Sequence, residues 1–158
     1  MDILITDYSQ KSMGDGIIKL FREIYPDWPI EDVERMAYDE NRELHVSTQV
    51  AICDDKILGQ ANVFRLPNDP RIANLGFHIH PDYRRKGIGT GLATTVMDKA
   101  KESGIKIIVV QTKSTNKAAI GLVKKLGFKK PSIIFLHEYA DVLKYRRLEN
   151  GVCLYKAI

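Results

Sequence analysis

Ile105-Lys106-Ile107-Ile108-Val109-Val110 is almost continuously apolar, and no other stretch restricts the fold as much. A strand of this kind is covered on both faces by helices, so it belongs in the middle of a sheet with helical layers on two sides. The chain before it supplies strands and helices in turn. Ile3 to Tyr8 reads as a first strand. Ile17, Leu20, Phe21 and Ile24 then fall at i, i+3, i+4 and i+7, the apolar stripe of a helix that starts in the Ser9–Asp15 stretch. Pro26 and Pro29 bracket Asp27-Trp28 and separate that helix from a second, in which Ile30, Val33 and Ala37 share a face.

Leu44, Val46, Val50 and Ile52 are spaced as a strand, Asp54-Asp55 makes a turn, and Ile57 to Leu66 returns as the second arm of a β-hairpin. Pro67-Asn68-Asp69-Pro70 reads as a loop. After it Leu75, Phe77 and Ile79 alternate with Asn74, Gly76, His78 and His80 until Pro81 stops the strand. A helix is expected from about Gly87 to Ser103, with Ile88, Leu92 and Val96 spaced by four and Gly104 as its C′ cap. Another runs from Asn116 to Leu126, burying Ala119, Leu122, Val123 and Leu126, with Gly127 closing it. Ser132 to His137 reads as strand, Tyr139 to Arg147 as helix or loop, and Val152 to Ile158 as a terminal strand. The expectation is one α/β domain over residues 1–158, a mixed sheet flanked by helices.

Hydrophobic residues at 44% and charged residues at 28% exclude a disordered or fibrous chain. The net charge of +4 is mildly basic and bears on function only where the cations cluster. Cys53 and Cys153 lie far apart with no CxxC spacing and no matching histidine pair, so free thiols and no metal are expected. The start carries no basic n-region, and no apolar run reaches membrane length. These features point to a cytoplasmic protein with no membrane partner.

The cations cluster at Arg84-Arg85-Lys86-Gly87-Ile88-Gly89-Thr90-Gly91, between a strand end and a helix start. A helix start leaves backbone N–H groups without partners, and glycines let an anion reach them. Two familiar phosphate loops fail here. A P-loop ends in Gly-Lys-Ser/Thr, whereas Gly91 is followed by Leu92-Ala93; a dinucleotide fingerprint needs GxGxxG and an acid ending the next strand, whereas Gln111-Thr112 stand there.

Ile79-His80-Pro81-Asp82-Tyr83-Arg84-Arg85-Lys86-Gly87-Ile88-Gly89 resembles the R/Q-x-x-G-x-G/A signature of the GNAT superfamily of N-acetyltransferases. Asn116-Lys117-Ala118-Ala119-Ile120-Gly121-Leu122-Val123-Lys124-Lys125-Leu126-Gly127-Phe128 is similar to the same family's N-x-x-A-x-x-L-Y-x-x-x-G-F helix, at the family's separation. The resemblance implies a GNAT-like, mostly antiparallel central sheet splayed between the fourth and fifth strands. It implies acetyl-CoA as co-substrate, its diphosphate held by the backbone from Arg85 through Lys86, Gly87, Ile88 and Gly89 to Thr90, with Arg84 at the motif's first position. Its pantetheine would pair along Phe77, His78 and Ile79, where one amide polarises the thioester carbonyl. Asn116 matches the family's asparagine near the pantetheine arm and is equally a helix N-cap after Ser114-Thr115. The implied reaction is direct attack of a neutral amine on the thioester, with no covalent enzyme intermediate.

The chain departs from the family pattern where protons move. Val123 stands where a tyrosine often protonates the leaving thiolate, and Ala73 and Leu75 stand where an acid or histidine often acts as base. A thiolate needs little such help near neutral pH. His78 is the candidate base by its position, with polar surface as its other reading; His80 is a common residue before the motif's proline. Tyr139 and His137, near the family's acceptor wall, are further catalytic candidates, with packing as the alternative. Tyr25-Pro26-Asp27-Trp28-Pro29-Ile30-Glu31-Asp32 lies where the family builds that wall, and reads either as a cationic-amine site or as a helix start with favourable acids. The acceptor amine is open between a small molecule and a protein N-terminus. A non-catalytic acyl-CoA-binding module is the alternative function. Nucleic acid is not an expected partner, since no reading motif accompanies Lys129-Lys130 or Arg146-Arg147. A monomer or a homodimer fits equally.

Overall fold

The computed structural model describes residues 1–37, 43–139 and 151–158. In chain order the elements are β1 (Leu4–Asp7), α1 (Gln10–Ile24), α2 (Ile30–Ala37), β2 (His45–Cys53), β3 (Lys56–Leu66), β4 (Asp69–Ile79), a 3-10 turn at Pro81–Tyr83, α3 (Ile88–Glu102), β5 (Ile107–Lys113), α4 (Lys117–Lys125), α5 (Ile133–Glu138) and β6 (Gly151–Ala157). Among the described residues the strands form one six-stranded sheet in the order β1-β2-β3-β4-β5-β6. Every neighbouring pair is antiparallel except β4 with β5, which run parallel. The expected mixed, mostly antiparallel sheet is therefore present.

The sheet buries both faces. On one, Leu58, Ala61, Val63, Ala73, Leu75, Ile108 and Val110 pack under α3 and against Val123 and Phe128. On the other, Val50 and Ile57 lie under Ile17, Leu20 and Phe21 of α1 and Val33 of α2, while Ile72, Ile107 and Val109 lie under Phe135 of α5. The apolar run of β5 thus sends Ile108 and Val110 to one layer and Ile107 and Val109 to the other, as a doubly covered strand requires. Among the described residues no helix is long and apolar enough to cross a membrane.

Local chemistry explains most of the boundaries. Asp54 and Asp55 both take positive φ, 48° and 60°, a turn whose twist suits the β2–β3 hairpin. Gly104 and Gly127 each end a helix at positive φ; Ile105 N–H reaches Ala100 O at 3.1 Å and Phe128 N–H reaches Val123 O at 3.0 Å, the six-to-one bond of a Schellman cap.

Two expectations are corrected. Asp69 and Pro70 belong to β4 rather than to a four-residue loop, because a bulge beside Arg65/Leu66 absorbs the proline's missing donor and Arg65 bonds the Pro70 carbonyl at 2.7 Å. Ser132 to His137 is not a strand. Ser132 caps a helix by accepting the Phe135 N–H at 3.1 Å, and β6 occupies the place beside β5 that another strand would have needed. Local capping and the filled edge outweigh the strand propensity of Ile133-Ile134-Phe135. Of the stretch read as helix or loop, Tyr139 is the helix's C-cap, and the remainder lies outside the described residues.

Candidate functional site

The site forms where β4 and β5 separate. Their parallel pairing covers Ile72↔Ile107, Ala73↔Ile108 and Asn74↔Val109 and no further among the described residues. Gly76, Phe77, His78 and Ile79 consequently keep their pairing to β3 but have no partner on the β5 side. This is the splay expected between the fourth and fifth strands.

The basic loop lies just beyond the end of β4. Arg85 takes φ 63° and Gly87 φ 81°, so two left-handed residues curl the backbone immediately before α3. For an arginine that conformation costs on the order of 1 kcal/mol, a strain that accumulates at binding loops. Gly87 is the N-cap of α3 and makes no side-chain cap bond, and the first helical bond runs from Gly91 N–H to Gly87 O at 3.0 Å. The amides of Ile88, Gly89 and Thr90 are therefore free of intrahelical partners. Arg84, Arg85, Lys86 and Thr90 are exposed, while the Ile88 side chain is buried in the core and leaves only its amide for a ligand. Arg84 spends its Nε on the Ile79 carbonyl at 3.2 Å, which pins the loop to the strand end. A Cβ on Gly89 would stand 3.0 Å from Leu122 and 3.7 Å from Ile79, so loop, α4 and β4 meet there. These donors, left-handed residues and cations fit a diphosphate, and the unpaired strand edge fits an extended amide-bearing arm.

Phe77 and Ile79 turn toward the α3 layer, and His78 turns to the opposite face. There its ring meets Phe21 edge-on at 4.8 Å and its Nδ1 lies 2.9 Å from the Tyr25 hydroxyl. Burial lowers the His78 pKa to about 4 and raises that of Tyr25, with Arg84 partly opposing the latter. Both groups are neutral at physiological pH. Trp28 stacks on Tyr25 with ring centroids 4.0 Å apart, so the segment between α1 and α2 forms an aromatic wall over His78. Asp32, in the first turn of α2, pairs with Arg35 at 2.6 Å.

His80 is a structural residue. Its Nδ1 accepts the Asp82 N–H at 3.2 Å, its Nε2 meets Glu23, and Lys56 Nζ lies 3.6 Å from Glu23. The trio ties the end of α1 to the end of β4. Asn116 is the N-cap of α4, accepting Ala119 N–H at 3.2 Å, and donates to Thr112 Oγ1 at 3.1 Å. Val123 is fully buried in the core, so this position of α4 presents neither a hydroxyl nor an opening for one. Tyr139 is not brought to this site. Its ring lies 5.1 Å from the Arg71 guanidinium and packs on Phe135, at the start of β4, where Asp69 and Arg71 pair at 2.7 Å. Seven extended residues, roughly 23 Å, separate Arg71 from His78. His137 is exposed on α5. Among the described residues no group of acids, histidines and cysteines could hold a metal. Sequence reasoning missed the Tyr25–His78 bond and the Glu23–His80–Lys56 trio, since each joins residues far apart in the chain.

Residues 14–128 match the model of the acetyltransferase (GNAT) family. N-acetyltransferase 8B of Homo sapiens is 31% identical over 99 residues, 60% of this chain and 43% of that protein. The ribosomal protein bS18-alanine N-acetyltransferase of Escherichia coli is 33% identical over 55 residues, 35% of this chain and 37% of its own. The chain spans less than half the length of these curated relatives. PaiA N-acetyltransferase of Thermoplasma acidophilum, solved in complex with coenzyme A, superposes with a TM-score of 0.72 at 18% identity, covering 100% of both chains. At that identity the likeness speaks for the fold alone.

Proposed function

This chain belongs to the acetyltransferase (GNAT) family, and on that premise we propose that it transfers the acetyl group of acetyl-CoA to a primary amine of a small molecule or a protein N-terminus. The observation that carries the reading is the unpaired edge of β4 from Gly76 to Ile79, running straight into a loop whose Ile88, Gly89 and Thr90 amides are uncapped. In this reading those amides and the Arg84, Arg85 and Lys86 charges hold the coenzyme A diphosphate, the Phe77–Ile79 edge receives pantetheine, and Asn116 stays near that arm while capping α4. Bound acetyl-CoA supplies an activated thioester carbonyl. The chain's part is to exclude water, present the amine and hold protons.

His78 titrates near 4 and is a weak base toward a free ammonium, so the amine has to arrive already neutral. Its imidazole then takes a proton from the nitrogen only once attack has made that nitrogen acidic, with the Tyr25 hydroxyl fixing the ring's orientation. The buried Val123 favours a second reading, a non-catalytic acyl-CoA-binding module, because α4 lends no acid at that position.

Calorimetry with acetyl-CoA and thiol release with a panel of amines separate these readings. Saturation at a hundred times the Kd is expected to stabilise the fold by about 2.7 kcal/mol in unfolding titrations. Binding without thiol release from any amine would leave the module; no binding at all would remove both.

A further inference from the structure

Three side chains share one stretch of the sheet face opposite α3, and none of them bears charge at neutral pH. Asn62 pairs across β3–β4 with Gly76, and the next row pairs Gln60 with His78, so all four positions point to the same face. Asn62 stands directly over Gly76: a Cβ placed on that glycine would lie 2.8 Å from the Asn62 Oδ1. Gly76 is two residues beyond Asn74, the last rung between β4 and β5, where the strand edge is open. Among the described residues none donates a hydrogen bond to this oxygen. It is also not sealed away, since the one fully buried side-chain oxygen without a partner among the described residues is Gln60 Oε1 in the adjoining row. An accessible acceptor with no partner among the described residues thus sits at the mouth of the parted strands. His78 stands about 7 Å further along the same face.

We propose that Asn62 positions the acceptor amine, its side-chain oxygen over Gly76 taking one N–H of the attacking nitrogen. The inference rests on the acetyltransferase reading and adds to it the residue that receives the amine. A carbonyl oxygen accepts from a neutral N–H. A carboxylate in its place would favour the ammonium, raise its pKa and hold the nitrogen in its unreactive form. The glycine beneath keeps the oxygen where it is, because a methyl group there would push the amide aside. An amide oxygen adds no full negative charge that would hold the nitrogen protonated, so an amine that arrives neutral spends one hydrogen on Asn62 and keeps its lone pair for the carbonyl.

The test uses the full chain, acetyl-CoA, and whichever of an alanine-starting hexapeptide, lysine and spermidine the wild type acetylates. Asn62→Leu is expected to raise the amine KM or lower kcat/KM about tenfold, the worth of one hydrogen bond, with acetyl-CoA affinity unchanged by calorimetry. Asn62→Asp is expected to move the kcat profile to higher pH, a shift that a merely structural role would not produce. Gly76→Ala is expected to lose as much as Asn62→Leu, and to cost nothing more when added to it. Additive losses in the double variant, or unchanged amine kinetics in Asn62→Leu with acetyl-CoA still bound, overturn the role of Asn62 and leave the enzymatic reading intact. A wild type that binds no acetyl-CoA sinks the enzymatic reading, and this inference with it.

Discussion

Acidification is expected to destabilise this fold through His78 in a manner that can be isolated. The ring lies against Phe21 and the Tyr25 hydroxyl, and burial lowers its pKa from 6.5 to about 4. The unfolded chain therefore binds a proton at this residue between those two values while the folded chain does not. With the folded pKa depressed, stability is complete above 6.5, falls as pH drops, and levels off below 4. At 1.36 kcal/mol per unit the whole window is worth about 3 kcal/mol, and by about pH 5 roughly 2 kcal/mol is already gone. His78→Gln keeps a hydrogen-bonding group beside Tyr25 but does not titrate. Urea unfolding of both proteins from about pH 7.5 down to 5 gives the difference directly, since every other titrating group is common to the two. The wild-type disadvantage is expected to grow by about 2 kcal/mol over that span. Two curves that stay parallel would refute the claim that this imidazole is held neutral by its surroundings.

Two glycines make opposite predictions. Gly87→Ala meets nothing within 4 Å but forces a side chain to φ 81°, a cost of about 1–2 kcal/mol shared between lower unfolding stability and weaker coenzyme A binding; denaturation and calorimetry that are both unchanged would contradict the left-handed loop. Gly121→Ala in α4 also meets nothing, and there the methyl group is expected to stabilise the chain by about 0.5–1 kcal/mol, visible as a raised urea midpoint.

Sequence alone was enough for what depends on near neighbours. The β5 run, the Asp54-Asp55 turn, the Gly104 and Gly127 caps and the basic loop before α3 are each specified by residues within a few positions of one another, and each stands where its local chemistry places it. The segment Ser132–His137 misled because Ile133 and Ile134 look like strand residues, yet they are 88% and 79% exposed on a helix that buries only Phe135. The site was half legible. Its ligand-binding backbone follows from glycine and cation spacing, but the environment of His78 depends on Tyr25, and the position of Asn62 depends on Gly76, contacts set by how α1 and β3 pack and pair rather than by any pattern along the chain.

The three rungs between β4 and β5 leave, in mechanical terms, a four-stranded plate and a two-stranded ribbon with a short weld between them. A lone ribbon of two strands is marginal in water, so β5 and β6 owe their placement chiefly to side chains, Ile108 and Val110 gripping one layer and Ile107 and Val109 the other. The breadth of the gap is then governed by apolar packing instead of main-chain bonding.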